Sequence, residues 1–422
     1  GYVGAANKEE VNEDPVTRLP GFRVGKSGVE LGFERKLRGK AGVVKLEVDA
    51  RGNAIRKLDT LQSRQGRELV LTIDQEIQNW AMNRLKDLRR ASVVALDART
   101  GEVLVMASTP SFNPNALIEG LKFKMVTAHA GLEAGVITSK TKFFCPGGYT
   151  YANAYFGCWK KRGHRVVWVR KALKESCDVF FYNVAERIGI TKLSAMGHKL
   201  GLGQTYDFGM PQQKPGVMPT PGWKRATLGK KWYGGETIIA GIGQGFVLTT
   251  PLQLAVMTAR IASGRQIVPR IVRASPDEPG EEPKMLDIDP EYLALVREGM
   301  WAVVNEGGGT AGRARIPIAG VEMAGKTGTS QVNTASSGRK SSEIKWEQRD
   351  HGLFVGYAPA DNPRYAVVAV VEHGGSGSRA AAPVVRDVMT ALIERDPLSR
   401  PAYVARDNLR KTAGQKTRRD EG

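Results

Sequence analysis

The chain has 422 residues, of which 41% are hydrophobic and 25% are charged. This length accommodates two or three domains with sizeable cores, and the composition excludes a chain that is disordered throughout. Lys and Arg outnumber Asp and Glu by 62 to 43, giving a net charge of +19 that favours anionic partners, but no zinc-finger spacing or other nucleic-acid signature accompanies it, so no nucleic acid is predicted as a partner.

The first 75 residues predict a β-rich domain. They contain short alternating runs such as Val43–Val48 between glycine turns, and they end in a predicted strand, Glu68–Asp74. Asp74 then caps a predicted helix, Gln75–Arg90, whose apolar residues recur on one face. No run of about 18 or more apolar residues is present, so no membrane-spanning helix is predicted.

Residues 76–395 predict a second domain of the α+β class. A hairpin of Ser92–Asp97 and Glu102–Ser108 opens this domain, and most helices follow in the middle. The helices and strands predicted after the hairpin are Met125–Ala134, Val179–Ile188, Pro251–Ala262, Met323–Ser330, Gly352–Tyr357, Tyr365–Glu372 and Pro383–Glu394. Strands at both ends predict one sheet that joins distant segments. Residues 396–422 are basic and polar, which is typical of a disordered tail.

The cysteines leave two interpretations open. Cys145 and Cys158 flank a Gly- and Tyr-rich loop and belong to no CxxC pair, which disfavours a zinc ribbon. A disulfide would close this loop, and two free buried thiols are the alternative. Cys177 is predicted to be a small buried residue. The five histidines have no metal-binding spacing, so neither a metal nor another cofactor is predicted, and His129 is expected in the core.

One candidate motif is the sequence AGKTGTS at Ala324–Ser330. Small residues on a strand let a substrate backbone approach closely. Lys326 would supply a fixed positive charge for a carboxylate or an oxyanion, and Thr327 and Thr329 would supply hydroxyl and backbone donors. The alternative is a glycine-bearing strand with an exposed lysine, because such triplets also occur by chance.

A second candidate motif is Ser176-Cys177-Asp178, which alone would be only a helix cap. The known set of motifs that contains KTG and a motif of this kind also contains Ser-x-x-Lys at the start of a helix. That spacing places the two side chains one turn apart, so the amine can take the hydroxyl proton.

Formal Ser-x-x-Lys matches begin at Ser139, Ser337 and Ser342, all in polar stretches that do not begin an apolar helix. The context that fits is Leu121–Lys124, where Lys124 begins an apolar helix. The residue at the position of the serine is Leu121.

These motifs resemble the class B penicillin-binding proteins, in particular their elongation-specific members. The resemblance spans nearly the whole chain and includes Asp14–Phe22, Lys26–Glu30, Leu37–Gly42, Pro110–Asn115, Gly243–Gly245, Thr250–Ala255 and His351–Pro359. It implies a penicillin-binding transpeptidase fold of the α+β class: a central antiparallel sheet flanked by helices, a helical subdomain, and an elongated β-rich pedestal at residues 1–75.

The resemblance also implies a role for each motif. Lys124 would be the general base, and Ser176 and Asp178 would form the second motif. The third motif, Lys326–Gly328, would orient the substrate carboxylate. The backbone N–H of Thr329 would be one half of the oxyanion hole, the other half coming from the nucleophile.

The function implied by the resemblance is a peptidoglycan D,D-transpeptidase of cell-wall elongation. A serine would attack the D-Ala-D-Ala bond of a stem peptide, an amine of a neighbouring peptide would resolve the acyl-enzyme, and β-lactams would acylate the same serine. The pedestal would contact a SEDS-family glycosyltransferase and the elongation scaffold. The location would be the periplasmic face of the inner membrane, with a single anchor that is absent from this chain.

The sequence departs from the family at the nucleophile, because leucine has no nucleophilic atom. The segment 116–120 is also shorter than the family's. Three interpretations stay open: the sequence joins segments of a longer chain, it is an altered variant, or it is a natural pseudoenzyme. The alternative function is therefore a catalytically dead module that binds or activates the glycosyltransferase.

Overall fold

The computed structural model describes residues 1–19, 21–110, 118–119, 123–274, 281–331 and 344–399. The chain forms two compact units. The smaller unit contains Gly1–Leu71, Tyr206–Gln213 and a segment that starts at Arg270, and the larger unit contains the rest of the described chain from Thr72 onward. The sequence placed a boundary at residue 75 and gave no sign of the two later segments.

The smaller unit consists of short elements. They are β1 (Val3–Ala5), α1 (Lys8–Glu13), β2 (Arg23–Gly25), α2 (Gly28–Gly32), α3 (Glu34–Leu37), β3 (Val43–Val48) and β4 (Ala54–Leu61). β1 pairs antiparallel with β2, and β3 with β4. The unit therefore contains helices as well as the predicted strands. Helix α1 begins where it does because Asn7 and Glu10 form a capping box.

The strand predicted at Glu68–Asp74 is not formed. Only Leu71 pairs, in an isolated antiparallel bridge with Val272, a residue of the same unit. An extended segment becomes a strand only where a neighbouring backbone satisfies its N–H and C=O groups. Periodicity within the segment cannot show whether such a neighbour exists.

A five-stranded antiparallel sheet forms the centre of the larger unit. In spatial order it consists of β13 (Ala324–Ser330), β14 (His351–Ala358), β15 (Tyr365–Val371), β5 (Ala91–Asp97) and β6 (Val103–Thr109). All residues of the middle strand β15 are buried, as its continuous apolar sequence requires. The prediction of one sheet built from both ends of the domain is confirmed, and so is the α+β class.

Helices cover both faces of this sheet. On one face, α4 (Gln75–Leu85) and α12 (Ala382–Arg395) share a core with alternate strand residues such as Val367 and Ala369. On the other, α10 (Pro251–Ser263) contacts β5, β14 and β15. Helix α10 starts sharply because Thr250 caps it and proline occupies its first turn. Helix α4 ends earlier than predicted, in a turn where the N–H of Leu88 donates to the Leu85 carbonyl at 2.9 Å.

The remaining elements surround the site. The helices are α5 (Lys124–Glu133), α6 (Val169–Lys174), α7 (Asp178–Lys199), α8 (Pro221–Leu228), α9 (Gly234–Ala240) and α11 (Pro290–Asn305). The strands are β7 (Ile118–Glu119), β8 (Phe143–Cys145), β9 (Gly148–Tyr151), β10 (Ala154–Gly157), β11 (Arg165–Val167) and β12 (Leu248–Thr249). Non-helical backbone at Gly189 interrupts α7 next to the predicted end at Ile188. Among the described residues, no helix has the length and hydrophobicity to cross a membrane.

Candidate active site and thiol cluster

Lys124 is the first residue of α5 and is completely buried. Its Nζ donates to the backbone oxygen of Ser176 at 2.8 Å and to the Ser176 hydroxyl at 3.0 Å, and it forms an ion pair with Asp178 Oδ1 at 2.5 Å. Removing an ammonium group from water is costly unless such partners compensate. The structure thus joins the predicted base to both residues of the second motif.

The second motif lies in the short connection between α6 and α7. Ser176 has a φ of +56°, in the left-handed region that non-glycine residues rarely adopt. Such a strained conformation persists where the surroundings fix it, and it is frequent at functional sites. Asp178 begins α7, where the positive end of the helix favours a carboxylate.

Trp159 fixes this motif from outside. Its backbone N–H donates to Asp178 Oδ2 at 2.9 Å, and its indole Nε1 donates to the carbonyls of Glu175 and Ser176, both at 3.0 Å. The sequence suggested Trp159 only as one of several aromatics that could line a groove. Its role here depends on long-range contacts, so the sequence contained no signal for it.

The third motif lies on β13, at an edge of the sheet. Lys326 is buried, with Nζ 3.5 Å from both the backbone oxygen and the hydroxyl of Thr327, and the Thr327 hydroxyl lies 2.9 Å from that of Thr310. The expectation that a strand glycine makes room for substrate needs correction at Gly325. A Cβ there would lie 2.5 Å from the ring of Phe354, so this glycine makes room for the core.

A small cavity lies between the start of α5 and the third motif on β13. Its lining includes Met125, which follows Lys124, together with Lys326 and Gly328. The structure therefore brings the start of α5 to the middle of β13, over about 200 residues of sequence. Thr329 follows on the same strand and pairs with Gly352.

The nucleophile position is not part of this geometry, because Leu121 lies outside the described residues. The same holds for the formal Ser-x-x-Lys matches at Ser337 and Ser342. Ser139 is described and lies in an exposed turn. The predicted tail at 396–422 is described only as far as residue 399.

The disulfide predicted between Cys145 and Cys158 is not formed in the structure, where all three cysteines are free and buried. Instead, the Sγ atoms of Cys145 and Cys158 each lie 3.5 Å from Nδ1 of His164. Cys177 completes the group, and its four donor atoms lie within 4.8 Å of one another. This Cys3His group corrects the expectation that the chain has no residues arranged for a metal.

The geometry of this group fits zinc. Zinc–sulfur bonds of about 2.3 Å and zinc–nitrogen bonds of about 2.0–2.1 Å at tetrahedral angles place sulfur and nitrogen about 3.5 Å apart. Hydrogen bonds with Cys177 and His164 lower the pKa of the Cys158 thiol against the effect of burial, while the same thiol–thiol hydrogen bonds raise the pKa of Cys177, so the cluster favours at least one thiolate of the kind that metals bind. A closed Cys3His set of this kind is typical of structural zinc.

The thiol cluster is contiguous with the candidate active site. Cys177 lies between Ser176 and Asp178, and Cys158 precedes Trp159. The sequence signal was the spacing of 12, 5 and 12 residues between Cys145, Cys158, His164 and Cys177. A search for CxxC pairs misses this spacing, because here each ligand comes from a different loop.

Known proteins resemble the chain over both units. Residues 91–390 match the family described as the penicillin-binding protein transpeptidase domain, and residues 1–71 match the penicillin-binding protein dimerisation domain. These matches confirm the resemblance inferred from the motifs.

Three relatives are especially similar. The peptidoglycan D,D-transpeptidase MrdA of Acinetobacter baumannii is 34% identical, over 95% of this chain and 66% of its own length. The Pseudomonas aeruginosa PBP2 complex with WCK 5153 has a TM-score of 0.78 at 34% identity, covering 93% of this chain and 88% of that one. The PBP2–MreC complex of Helicobacter pylori has a TM-score of 0.83 at 28% identity, covering 93% and 76%.

The present chain thus spans just under two thirds of the length of the Acinetobacter relative. The alignment itself runs over 448 positions, more than the 422 residues of this chain. That relative therefore has residues within the aligned region for which this chain has no counterpart.

Proposed function

Because the chain belongs to the penicillin-binding protein transpeptidase family, we propose that it is the transpeptidase part of a peptidoglycan D,D-transpeptidase of cell-wall elongation. The observation that carries this proposal is the buried group of Lys124, Ser176 and Asp178. A buried ion pair adds little net stability compared with apolar residues of the same size. Its presence here is better explained by proton transfer than by folding.

In the proposed reaction, a serine hydroxyl next to Lys124 attacks the penultimate D-Ala carbonyl of a stem peptide. For this step Lys124 must be the neutral amine: it takes the hydroxyl proton and becomes the ammonium that the ion pair with Asp178 stabilises, and the Ser176 hydroxyl, 3.0 Å from its Nζ, offers a path for that proton to the leaving amine. Lys326 and Thr327 hold the terminal carboxylate, and Thr329 contributes its N–H to the oxyanion hole. No cofactor is needed.

The residue at the nucleophile position, Leu121, is incompatible with the covalent step of this reaction. A leucine cannot form the acyl-enzyme, so the covalent step requires a serine at this position or in residues that this chain lacks. The excess length of the alignment with the Acinetobacter relative supports the second possibility. We propose that the group around Lys124 is a competent base system and that the sequence around Leu121 alone prevents acylation.

The second candidate function is a non-catalytic module that binds or activates partners of the elongation machinery. It is favoured by Leu121 and by the smaller unit, which matches a dimerisation domain. The Helicobacter relative forms a complex with MreC. In both functions we propose that the smaller unit contacts a scaffold of this kind and a SEDS-family glycosyltransferase at the periplasmic face of the inner membrane.

The test is intact-mass spectrometry after incubation with benzylpenicillin, on the present chain and on its Leu121→Ser variant. We expect no adduct on the first and a single adduct on the second, mapped to position 121. An adduct on the present chain would place the nucleophile elsewhere. No adduct on either would favour the non-catalytic module, or would show that the short segment before Leu121 disables the site.

A Leu121→Ser, Lys124→Met double variant provides the control. If Lys124 is the base, this variant should acylate far more slowly than Leu121→Ser, by about 100-fold or more. Equal rates would remove Lys124 from the proposed chemistry.

A further inference from the structure

The turn between α11 and β13 connects the second motif to the third. It runs from Glu306 to Thr310, directly after the last residue of α11. At its start the Glu306 carboxylate contacts α6, the helix that leads into Ser176. At its end the Thr310 hydroxyl contacts Thr327 of β13 at 2.9 Å.

Two cations of α6 hold the start of the turn. Arg170 binds both oxygens of Glu306, with Nη1 3.3 Å from Oε2, and Lys174 Nζ lies 2.9 Å from Oε2. Arg170 and then Lys174 lower the pKa of the Glu306 carboxyl to about 2, so the carboxylate keeps its charge at neutral pH. Arg170 also bonds Glu298 on α11 at 2.5 Å, so this side chain joins α6 both to α11 and to the turn.

The backbone of the turn is pressed against the end of α11. The N–H of Ala311 donates to the carbonyl of Val303 at 2.9 Å, and the N–H of Gly309 donates to that of Glu306 at 3.1 Å. A Cβ at Gly309 would lie 2.4 Å from the Val303 oxygen, so only glycine permits this approach. The turn therefore gives Thr310 a defined position relative to α6.

The chemistry of the two hydroxyls determines what Thr310 does. Lys326 is only a donor, and its Nζ lies 3.5 Å from the Thr327 oxygen. If Thr310 also donates to that oxygen, the hydroxyl proton of Thr327 takes part in neither hydrogen bond and points away from Lys326 and from Thr310. It can then be donated to an anion, and a hydrogen bond to a charged acceptor is stronger than a neutral one.

We propose that Thr310 and Glu306 are positioning residues that aim the Thr327 hydroxyl at the carboxylate of a bound stem peptide or β-lactam. Thr310 acts through Thr327 and does not itself touch the substrate. Glu306 fixes Thr310 by tying the turn to α6, so one short segment sets the third motif relative to the second. The role rests on the proposed function, because it requires a ligand with a carboxylate at Thr327.

The experiment measures the dissociation constants of benzylpenicillin and of its methyl ester, which lacks the negative charge. Since position 121 is leucine, binding to the present chain is reversible, and calorimetric titration gives both constants. Thr310→Val should weaken benzylpenicillin binding about tenfold, the usual effect of one charge-assisted hydrogen bond, and leave the ester unchanged. Thr310→Ser keeps the hydroxyl and should stay within about twofold of the parent.

Matched controls separate positioning from general stability. Thr390 has a similar exposure and bonds the Arg386 carbonyl at 2.8 Å, so Thr390→Val tests the loss of any threonine hydroxyl. Glu298 shares Arg170 with Glu306 but lies outside the turn. Glu306→Gln should weaken the binding of benzylpenicillin relative to that of its methyl ester. Glu298→Gln should leave the ratio of the two dissociation constants unchanged. Thermal denaturation of each variant verifies that it is folded.

The outcomes are distinct. A loss confined to the carboxylate ligand and restored by Thr310→Ser supports the positioning role. Equal weakening of both ligands, or no weakening by Thr310→Val, overturns that role while leaving the proposed function intact. If neither compound binds the parent chain, the proposed function fails, and the role of Thr310 and Glu306 fails with it.

Discussion

The stability of the larger unit depends strongly on one buried side chain, Lys124. It is fully buried, and the Asp178 carboxylate beside it is nearly so. Replacing Lys124 with alanine would leave that carboxylate without its cation in a region of low dielectric. We therefore expect Lys124→Ala to lower the free energy of unfolding by about 3–5 kcal/mol, measured by urea denaturation.

The control for this prediction is Lys199→Ala. Lys199 pairs with Glu133 at 2.7 Å, but both side chains are partly exposed, and such a pair contributes about 1 kcal/mol or less. A Lys124→Ala variant no less stable than Lys199→Ala would show that the buried carboxylate finds another partner.

His129 is another buried ionisable side chain, and burial disfavours its charged form. It is completely buried on α5, and neither ring nitrogen has a hydrogen-bond partner among the described residues. Burial, and to a lesser degree the charge of Arg297, lowers the pKa of the imidazole to about 3. The unfolded chain takes up a proton near the ordinary pKa of about 6.5, whereas the folded chain does not.

The contribution of His129 to stability is therefore complete above pH 6.5 and is lost as the pH falls through 6.5 towards about 3. We expect thermal stability to decrease over this range, and His129→Leu to reduce the decrease. Each unit of pKa difference corresponds to about 1.4 kcal/mol. A His129→Leu profile parallel to that of the parent chain would contradict this account.

At this scale the sequence predicted the residues with a local signature. Lys124, Ser176 and Lys326 were identified from short motifs, and the structure brings the first two together directly. The thiols were predicted less well, because a disulfide and a metal set both require cysteines at short distance. The position of His164 beside the thiols distinguishes a metal-binding set from a disulfide, and the spacing of residues along the chain does not reveal that position.

At the scale of elements, four loops meet in the thiol cluster. Cys145 ends β8, Cys158 follows β10, His164 precedes β11 and Cys177 precedes α7. The small strands around them bury few apolar side chains, so a metal would supply much of the energy that orders them. Since the chain has three cysteines and all belong to this cluster, any thiol measurement reports on it alone.

We therefore expect the purified chain to contain about one zinc ion per molecule by elemental analysis. Cys158→Ser should lose the metal and lower the melting temperature by about 5 °C or more, because the loops that carry Trp159 and Ser176 lose their anchor. The control is His198→Leu, which removes an exposed imidazole. Absence of zinc, with three thiols that react equally fast before and after chelation, would contradict a metal site.

The elements themselves were mostly predictable. The strands of the central sheet agree closely with the predicted segments, and for β5, β6, β14 and β15 the reason is the strong apolar signature of buried strands. The order of the strands did not follow from the sequence, since β15 pairs with β5 across most of the chain. Helix α4 was predicted too long because its charged continuation resembles an exposed helical face.

At the scale of the whole molecule, each unit has its own stabilising contacts. In the smaller unit, Arg38 bonds Asp14 at 2.6 Å and Glu34 at 2.7 Å. Phe33 fits against Gly209, where a Cβ would lie 2.0 Å from the ring. The sequence could not assign Gly209 to this unit, because it belongs to a segment that returns from the middle of the chain.

Because the chain forms two compact units, we expect two transitions in differential scanning calorimetry. Arg38→Ala should lower only the transition of the smaller unit, because it removes two ion pairs there. For a unit of this size, about 1 kcal/mol corresponds to about 4–8 °C. Cys158→Ser should lower only the other transition. A single transition that both substitutions shift would mean that the two units unfold as one.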